Sequence, residues 1–464
     1  MIIHVLNGAR EGEDDVDRLA DAVRTAAERG GHRTVPWTLR DHDFTFCRGC
    51  FHCWVATPGT CTGTHADRDV ARRLADADIV VLTTPMTFGC YSSELKIALD
   101  HLLPMLTYDF ERWAGETHHP LRYGRFPPMV AVASATTRDA DAEGIFSTLL
   151  WRNSFNSRAP GAAVVFSPGD GIDRIVERLA AVLAGLTGQP SQITPSDRVL
   201  TPELPHLVMP ERLDLAGVGP GDAEVDARPP KRAVLLVGSP KPGLKPSTPD
   251  VHSASLALGR ALSRRLFAQG VEGKTFFLSE AARMPGATKE MLASVAAADL
   301  VILSFPLSVD CLPAPTIRAL ELIAEARRHH ASRRDPRQPG LFALCQSGFP
   351  EAEQSSTALA ICRRFAREAG FAWRGGLAVG GGPAIASRLR AGGIARHAVS
   401  ALDDAAVCLA SGQAVPLAVV AWAARPLMPA PLYRRAAERG FRRQARKHGV
   451  RRPSASRPFE PQEA

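Results

Sequence analysis

Two fourteen-residue stretches, ADADIVVLTTPMTF at 75–88 and AAADLVILSFPLSV at 296–309, constrain this chain more than any other feature. Each runs from a helix end through Ala-Asp into an apolar strand, then a proline, then a short polar–apolar loop. Self-similarity of this kind marks a repeated structural unit. It predicts two copies of one fold in tandem, and 464 residues are too many for one ordinary core.

The segments around each copy support that reading. In the first half IIHVL, HRTVPW, DIVVLTT, PMVAVAS and AAVVF read as strands. DDVDRLADAVRTAAERGG places Val16, Leu19, Ala20 and Val23 on one helical face and stops at Gly30-Gly31. SSELKIALDHLL reads as a helix capped by Ser92 or Ser93. In the second half RAVLLVG, KTFFLS, DLVILSFP, GLFALCQSG and AWRGGLAVGGG supply strands, and DVHSASLALGRALSRRLFAQG a helix. Continuous apolar strands alternating with amphipathic helices belong to parallel, doubly wound α/β sheets. The expected organisation is a first domain over 1–189, a linker over 190–230 with eight prolines in 41 positions, a second domain over 231–412, and a basic C-terminal helical extension over 413–464.

Charge sharpens this division. From Arg425 onward there are ten Arg and one Lys against three Glu, which accounts for the whole net charge of +8. The body is neutral, so a general affinity for nucleic acid is not expected. Leu427, Leu432, Tyr433 and Phe441 in the tail call for burial, so the tail is expected to dock on its own body. The longest apolar run near the C-terminus, AVPLAVVAWAA, is about half the length of a membrane span, and MIIHVLNGAR reads as a strand and turn with no leader pattern. A cytoplasmic protein without a membrane span is the expectation.

Four cysteines, Cys47, Cys50, Cys53 and Cys61, fall in FCRGCFHCWVATPGTC with C-x2-C-x2-C-x7-C spacing. In a reducing compartment such clustering points to metal or redox use before disulfides. A metal site, structural zinc and free or redox-active thiols all remain open. The scattered Cys90, Cys311, Cys345, Cys362 and Cys408 read as small core residues.

In doubly wound sheets ligands bind beyond the carboxyl ends of the strands, at the switch point. A phosphate there wants backbone N–H groups at a helix start and hydroxyl donors. The second half offers Gly238-Ser239-Pro240-Lys241, then Ser253 and Ser255. The first half offers NGAREGEDD, with no Ser or Thr and with Glu11, Glu13, Asp14 and Asp15 set to repel a dianion. It has instead a rich loop after its third strand. There Pro85, Met86, Thr87, Phe88, Gly89 and Tyr91 could meet a flat aromatic ligand, with Phe88 and Tyr91 stacking or serving as core.

TPMTFGCYSSELKIALDHLLP, CRGCFHCWVATPGTC and GETHHPLRYGRFP together resemble the flavodoxin-like NAD(P)H-dependent oxidoreductases, including the FMN reductase, multimeric flavodoxin and iron–sulfur flavoprotein families. The resemblance covers about residues 1–150, and VGSPK, FPLSVDCLP and SGFPE look like a second member. It implies two tandem flavodoxin-like five-stranded sheets. It also implies FMN as cofactor, NAD(P)H as donor and a small-molecule electron acceptor such as a quinone, flavin or other organic compound. FMN contacts would be Asn7, Gly8, Arg10, residues 85–91 and Ser134 to Arg138 in the first half. In the second they would be Ser239 to Lys241, Ser253, Ser255, residues 306–310 and residues 347–349. His118, His119, Arg122 and Tyr123 would help close the pocket. Cys47, Cys50, Cys53 and Cys61 would be the ligands of a [4Fe–4S] cluster if the iron–sulfur branch applies. The two halves are expected to pair as an intramolecular pseudo-dimer, with further homo-oligomers open. Two alternatives stand beside the oxidoreductase: a degenerate flavin-binding or interaction scaffold, and an iron–sulfur electron carrier.

Overall fold

A computed structural model of the chain describes residues 1–187, 228–241, 243–245, 247–249, 252–331, 338–386, 389 and 393–460. Most of the proline-rich linker, residues 190–227, lies outside the described residues. The strands are β1 (Ile2–Asn7), β2 (Arg33–Thr38), β3 (Ile79–Pro85), β4 (Glu111–Trp113), β5 (Glu116–His118), β6 (Met129–Ser134), β7 (Gly161–Phe166), β8 (Arg232–Val237), β9 (Glu272–Phe277), β10 (Leu300–Pro306), β11 (Gly340–Gln346) and β12 (Ala372–Val379).

The expected fold is borne out. The first five-stranded sheet has the order β2-β1-β3-β6-β7 and the second β9-β8-β10-β11-β12, all pairs parallel. Within each sheet this is the same order, 2-1-3-4-5, in which the chain reverses direction after its second strand. In the first sheet Ile3, Val5, Ile79, Val81, Val130, Val132 and Val164 face a core shared with Leu19, Val23, Ile175 and Leu179 of the helices Asp14–Arg29 and Ile172–Thr187. The alternate residues Leu6, Val80, Leu82, Ala131 and Ala133 are buried too. Burial on both faces is why these strands read as unbroken apolar runs. The helix Ser93–Leu99 starts as expected: Ser92 Oγ accepts from Leu95 N–H at 3.3 Å.

A short antiparallel hairpin, β4–β5, interrupts the repeat. Its two-residue turn, Ala114-Gly115, has both φ angles positive, as tight hairpins demand. Among the described residues the first half alone carries this insertion.

Contacts divide the described chain into two units, Met1–Arg212 together with Arg434–Ala464, and Leu213–Tyr433. The end of the chain thus belongs to the first unit. Phe441, on the helix Ala430–Lys447, sits among Phe51, Trp54 and Tyr108 at ring distances of 5.5–5.7 Å. Arg122 ties the segment that follows. It is buried, and it donates to Pro104 O at 2.7 Å, Leu106 O at 3.0 Å, and Pro453 O and Ser456 O at 2.9 Å each. Such a guanidinium, spent on four carbonyls, organises backbone.

Candidate functional site

The carboxyl ends of both sheets carry the same loop framework. Gly8 N–H donates to Thr83 O and Gly238 N–H to Ser304 O, both at 2.8 Å. A Cβ on Gly8 would fall 2.6 Å from Leu95 Cβ, and one on Gly238 would fall 2.7 Å from Phe305 Cβ. Close packing requires glycine at both places.

Beyond that glycine the two units diverge. In the first, Asn7 Oδ1 accepts from Ala9 N–H at 3.0 Å, and Glu13 Oε2 accepts from Arg10 N–H at 2.7 Å. Asn7 Nδ2 donates to Asp17 at 2.6 Å, and Arg40 grips both Asp17 oxygens at 3.0 Å. Burial works against the Asp17 carboxylate, but the Arg40 and Asn7 bonds outweigh it and hold its pKa down. Arg10 reaches Ser93 Oγ at 3.1 Å. The helix Asp14–Arg29 then opens with Asp14, Asp15 and Asp17 in its first turn. The protein's own carboxylates sit where a phosphate would be received, and the loop does not fit a phosphate dianion.

In the second unit Ser253 caps the helix Ala254–Ala268, its Oγ accepting from Leu256 N–H at 3.3 Å. No acidic residue stands in the first turn. Ser239 is buried, and Lys241 Nζ donates to His252 O at 2.6 Å. The Ser255 side chain is buried, and its Oγ has no hydrogen-bond partner among the described residues. A buried hydroxyl without a partner costs free energy that an incoming acceptor would recover. These residues fit a phosphate.

The loops after the third strands are again equivalent. Thr87 bridges to Cys90 and Ser308 to Cys311, with Met86 N–H on Ser134 O and Leu307 N–H on Gln346 O, both 2.8 Å. The central pairs have positive φ: Phe88 at 56° and Gly89 at 72°, Val309 at 51° and Asp310 at 55°. Val309 therefore occupies the place of Phe88, as the aligned stretches 75–88 and 296–309 already pair them. Phe88 is buried, and Tyr91 is fully buried with its hydroxyl donating to Asn153 Oδ1 at 2.9 Å. A Cβ on Gly89 would fall 2.8 Å from Ile145 Cβ, so its open side faces the helix Ala140–Ser157. Arg138 bonds to Glu143 and to Val165 O. Ser347 Oγ donates to Phe349 O at 3.1 Å. In the first unit Asn7, Gly8, Arg10, Pro85, Met86, Thr87, Phe88, Gly89, Tyr91 and Ser134 thus gather at one sheet end. Ser239, Lys241, Ser253 and Ser255 gather at the other unit's first loop.

The segment expected to close the pocket turns inward. His119 stacks between Trp54 and Phe110, each ring 4.6 Å away, and its Nδ1 lies 3.0 Å from Asp109 O. Burial pushes its pKa down to about 4. His118 is buried near Glu116, and Tyr123 Oη accepts from Phe459 N–H at 3.3 Å.

The cysteine loop brings its four thiols into different surroundings. Among the described residues no three His, Cys, Asp or Glu side chains are grouped to hold an ion. Cys53 is buried in an apolar cluster with Trp54, Val55 and Tyr108. Burial, with the Asp100 carboxylate adding to it, pushes the Cys47 thiol up to about 12, and burial raises Cys53 well above its ordinary value. Cys61 points to His101, with Sγ 3.5 Å from Nδ1. Burial opposes its thiolate, but His101 and the Gly63 N–H outweigh burial and lower its pKa. The [4Fe–4S] expectation for Cys47, Cys50, Cys53 and Cys61 finds no support in this grouping: Cys53 is buried among apolar side chains and Cys61 contacts His101. His101 and Asp67, which complete that contact, escaped the sequence reading. They lie in separate helical segments, and only Thr64 and Asp67, three apart in a T-x-x-D capping pattern, left a local trace.

The strand order, the glycine-tight first loop and the bridged loop after the third strand define a flavodoxin-like α/β domain, present twice. Residues 1–138 match the model of the NADPH-dependent FMN reductase family. Among solved structures the chain is similar to an NAD(P)H:quinone oxidoreductase from Methanothermobacter marburgensis, with 14% identity over 41% of this chain and 98% of that one, TM-score 0.31. It is similar also to an azoreductase from Bacillus anthracis str. Sterne, with 13% identity over 39% and 99%, TM-score 0.26. A third is a putative quinone reductase from Klebsiella pneumoniae, with 13% identity over 44% and 93%, TM-score 0.33. Among curated proteins none matches the chain significantly.

Proposed function

We propose that the chain is an FMN-dependent NAD(P)H oxidoreductase that passes electrons to a small organic acceptor such as a quinone or a free flavin. The observation that carries this reading is the family match over residues 1–138, with the same strand order and loop framework repeated in the second sheet. Among the described residues no helix is long and apolar enough to cross a membrane.

The phosphate grip belongs to the second unit in this proposal. Ser239, Lys241, Ser253 and Ser255 would hold the FMN phosphate, and the loops at 306–310 and 347–349 would border the ring. The partnerless Ser255 hydroxyl supports this assignment, as do the carboxylates that already occupy the corresponding loop of the first unit. When bound, FMN supplies the hydride chemistry. This chain's own residues position it, and none is assigned as an acid or base. The same carboxylates favour a narrower second reading for the first unit alone, that of a structural partner no longer gripping phosphate.

Purified full-length protein should be yellow, should release FMN on denaturation, and should oxidise NADH or NADPH when a quinone is added. Colourless protein that takes up no FMN and shows no such turnover would leave the scaffold reading in its place.

A further inference from the structure

The helix Ala430–Lys447 has two faces with opposite surroundings. Its inner face is docked within the first unit: Phe441 and Ala445 pack with Trp54 and Tyr108, and Val450 joins the same cluster just beyond the helix. Glu438 fixes the register of that face by accepting from Phe110 N–H at 3.1 Å. At about 3.6 residues per turn, the opposite face collects Arg435, Arg439, Arg442, Arg443, Arg446 and Lys447. All six are exposed. With a rise of about 1.5 Å per residue they line roughly 18 Å of one side. Arg451 and Arg452, exposed as well, follow past the turn at Gly449.

This charge is not answered from within. Residues 434–452 hold eight Arg and one Lys against the single Glu438. Of the eight exposed cations only Arg442 has ion-pair partners among the described residues, Glu438 at 3.4 Å and Asp109 at 3.7 Å. Like charges three or four positions apart destabilise a helix. Arg435 and Arg439, Arg439 and Arg443, and Arg442 and Arg446 are such pairs. An anionic surface outside the chain would relieve that repulsion.

We propose that this face docks the protein on an anionic lipid bilayer, by charge alone. A run of basic residues on one side of a helix is the pattern that anionic headgroups attract. A helix that embeds in a bilayer does so through its apolar face, and here that face is committed to the protein's own core, so the contact stays at the headgroups. A bilayer asks only for a flat row of cations. Nucleic acid asks for more. Single strands are gripped by aromatic stacking, and the only Phe, Tyr or Trp of residues 434–452, Phe441, faces inward. A duplex is read by a helix that enters a groove about 12 Å wide, which a helix lying along its own body cannot do. The proposal does not depend on the flavin reading.

Flotation of the full-length protein with lipid vesicles tests it. One set of vesicles is phosphatidylcholine alone, and the other carries in addition about a third phosphatidylglycerol, an anionic fraction high enough to give a negative surface potential. Each is run at about 0.1 M and about 1 M salt, between which the Debye length falls from about 10 Å to about 3 Å. The protein should float with the anionic vesicles at the lower salt, stay behind with the neutral ones, and be released at the higher salt. R439Q/R443Q, which leaves the docked face intact, should weaken partitioning by about tenfold or more while the melting profile is unchanged. Duplex DNA added at equal phosphate concentration should leave the protein on the vesicles. Absence of flotation with anionic vesicles, equal flotation with neutral ones, or flotation indifferent to salt would overturn the proposal. So would unchanged partitioning of folded R439Q/R443Q, or displacement by the DNA, which would assign the face to nucleic acid. If the variant does not fold, the salt and neutral-vesicle results on the unaltered protein decide.

Discussion

The first loops of the two units begin alike and end as opposites. After the glycine that each sheet demands, the first unit turns its free N–H groups onto Asn7 and Glu13, and locks Asp17 to Arg40. The second leaves hydroxyls, a lysine and a buried Ser255 Oγ without a partner among the described residues. A helix N-terminus attracts negative charge from whatever source supplies it. In one copy the chain supplies that charge itself, which stabilises the loop and closes it to phosphate. In the other the charge has to come from outside. A second contrast lies in how each unit is completed: the first is finished by the returning end of the chain.

That second contrast carries the largest expected effect. Deleting residues 434–464 removes Phe441 from Phe51, Trp54 and Tyr108, and removes two of the four carbonyl partners of Arg122. Loss of one buried phenylalanine costs roughly 3–5 kcal/mol, so the first unit should melt far earlier while the second holds its transition. Calorimetry resolves the two. A uniform shift of both transitions would count against the assignment of the tail.

Acid should also separate the units. His119 is held neutral by burial, with a pKa near 4 against an ordinary value of 6.5. Between those values the unfolded chain binds a proton that the folded chain does not, so stability falls as pH drops from about 6.5 to about 4. The slope from this one group reaches about 1.4 kcal/mol per pH unit at most. It is absent above that window and flat below it. Denaturant melts across pH 4–7 should show the loss in the first unit's transition, and His119→Phe should flatten it.

The smallest effect is a change of sign at equivalent positions. Val309 is β-branched and sits at φ 51°, an outlier for such a residue, with strain of order 1–3 kcal/mol. Val309→Gly should therefore raise the second unit's stability by about 1 kcal/mol after the lost side-chain contacts are counted. Phe88→Gly, at the matching place, strips a buried ring and should lower the first unit's stability. Two losses of similar size would show that the strain at Val309 is not stored.

The repeat was legible because burial on both sheet faces writes itself as apolar runs, and two such runs at matching places in each half imply one topology used twice. The acidic residues of NGAREGEDD were legible as hostile to phosphate, since charge needs no geometry to be read. Other features depend on contacts distant in sequence. Phe88 and Tyr91 read as ring-stacking candidates, yet Tyr91 is placed by Asn153 and Phe146 from a helix some sixty residues away. Arg122 looked like a pocket residue and spends its guanidinium partly on residues 453 and 456. Cysteine spacing suggested a cluster, but whether thiols converge on an ion depends on what else bonds to them. At Cys61 that is His101, forty positions away.

The central claim is that the second unit, and not the first, grips the flavin phosphate. Fluorescence titration of FMN into flavin-free, full-length protein tests it most directly, comparing the unaltered chain with Ser255→Glu and Arg10→Glu. A carboxylate introduced at Ser255 should weaken FMN binding by at least about tenfold, the scale of one lost charge-assisted hydrogen bond. Arg10→Glu should leave it within about twofold. Binding that collapses in Arg10→Glu and survives in folded Ser255→Glu would place the phosphate in the first unit and contradict the account.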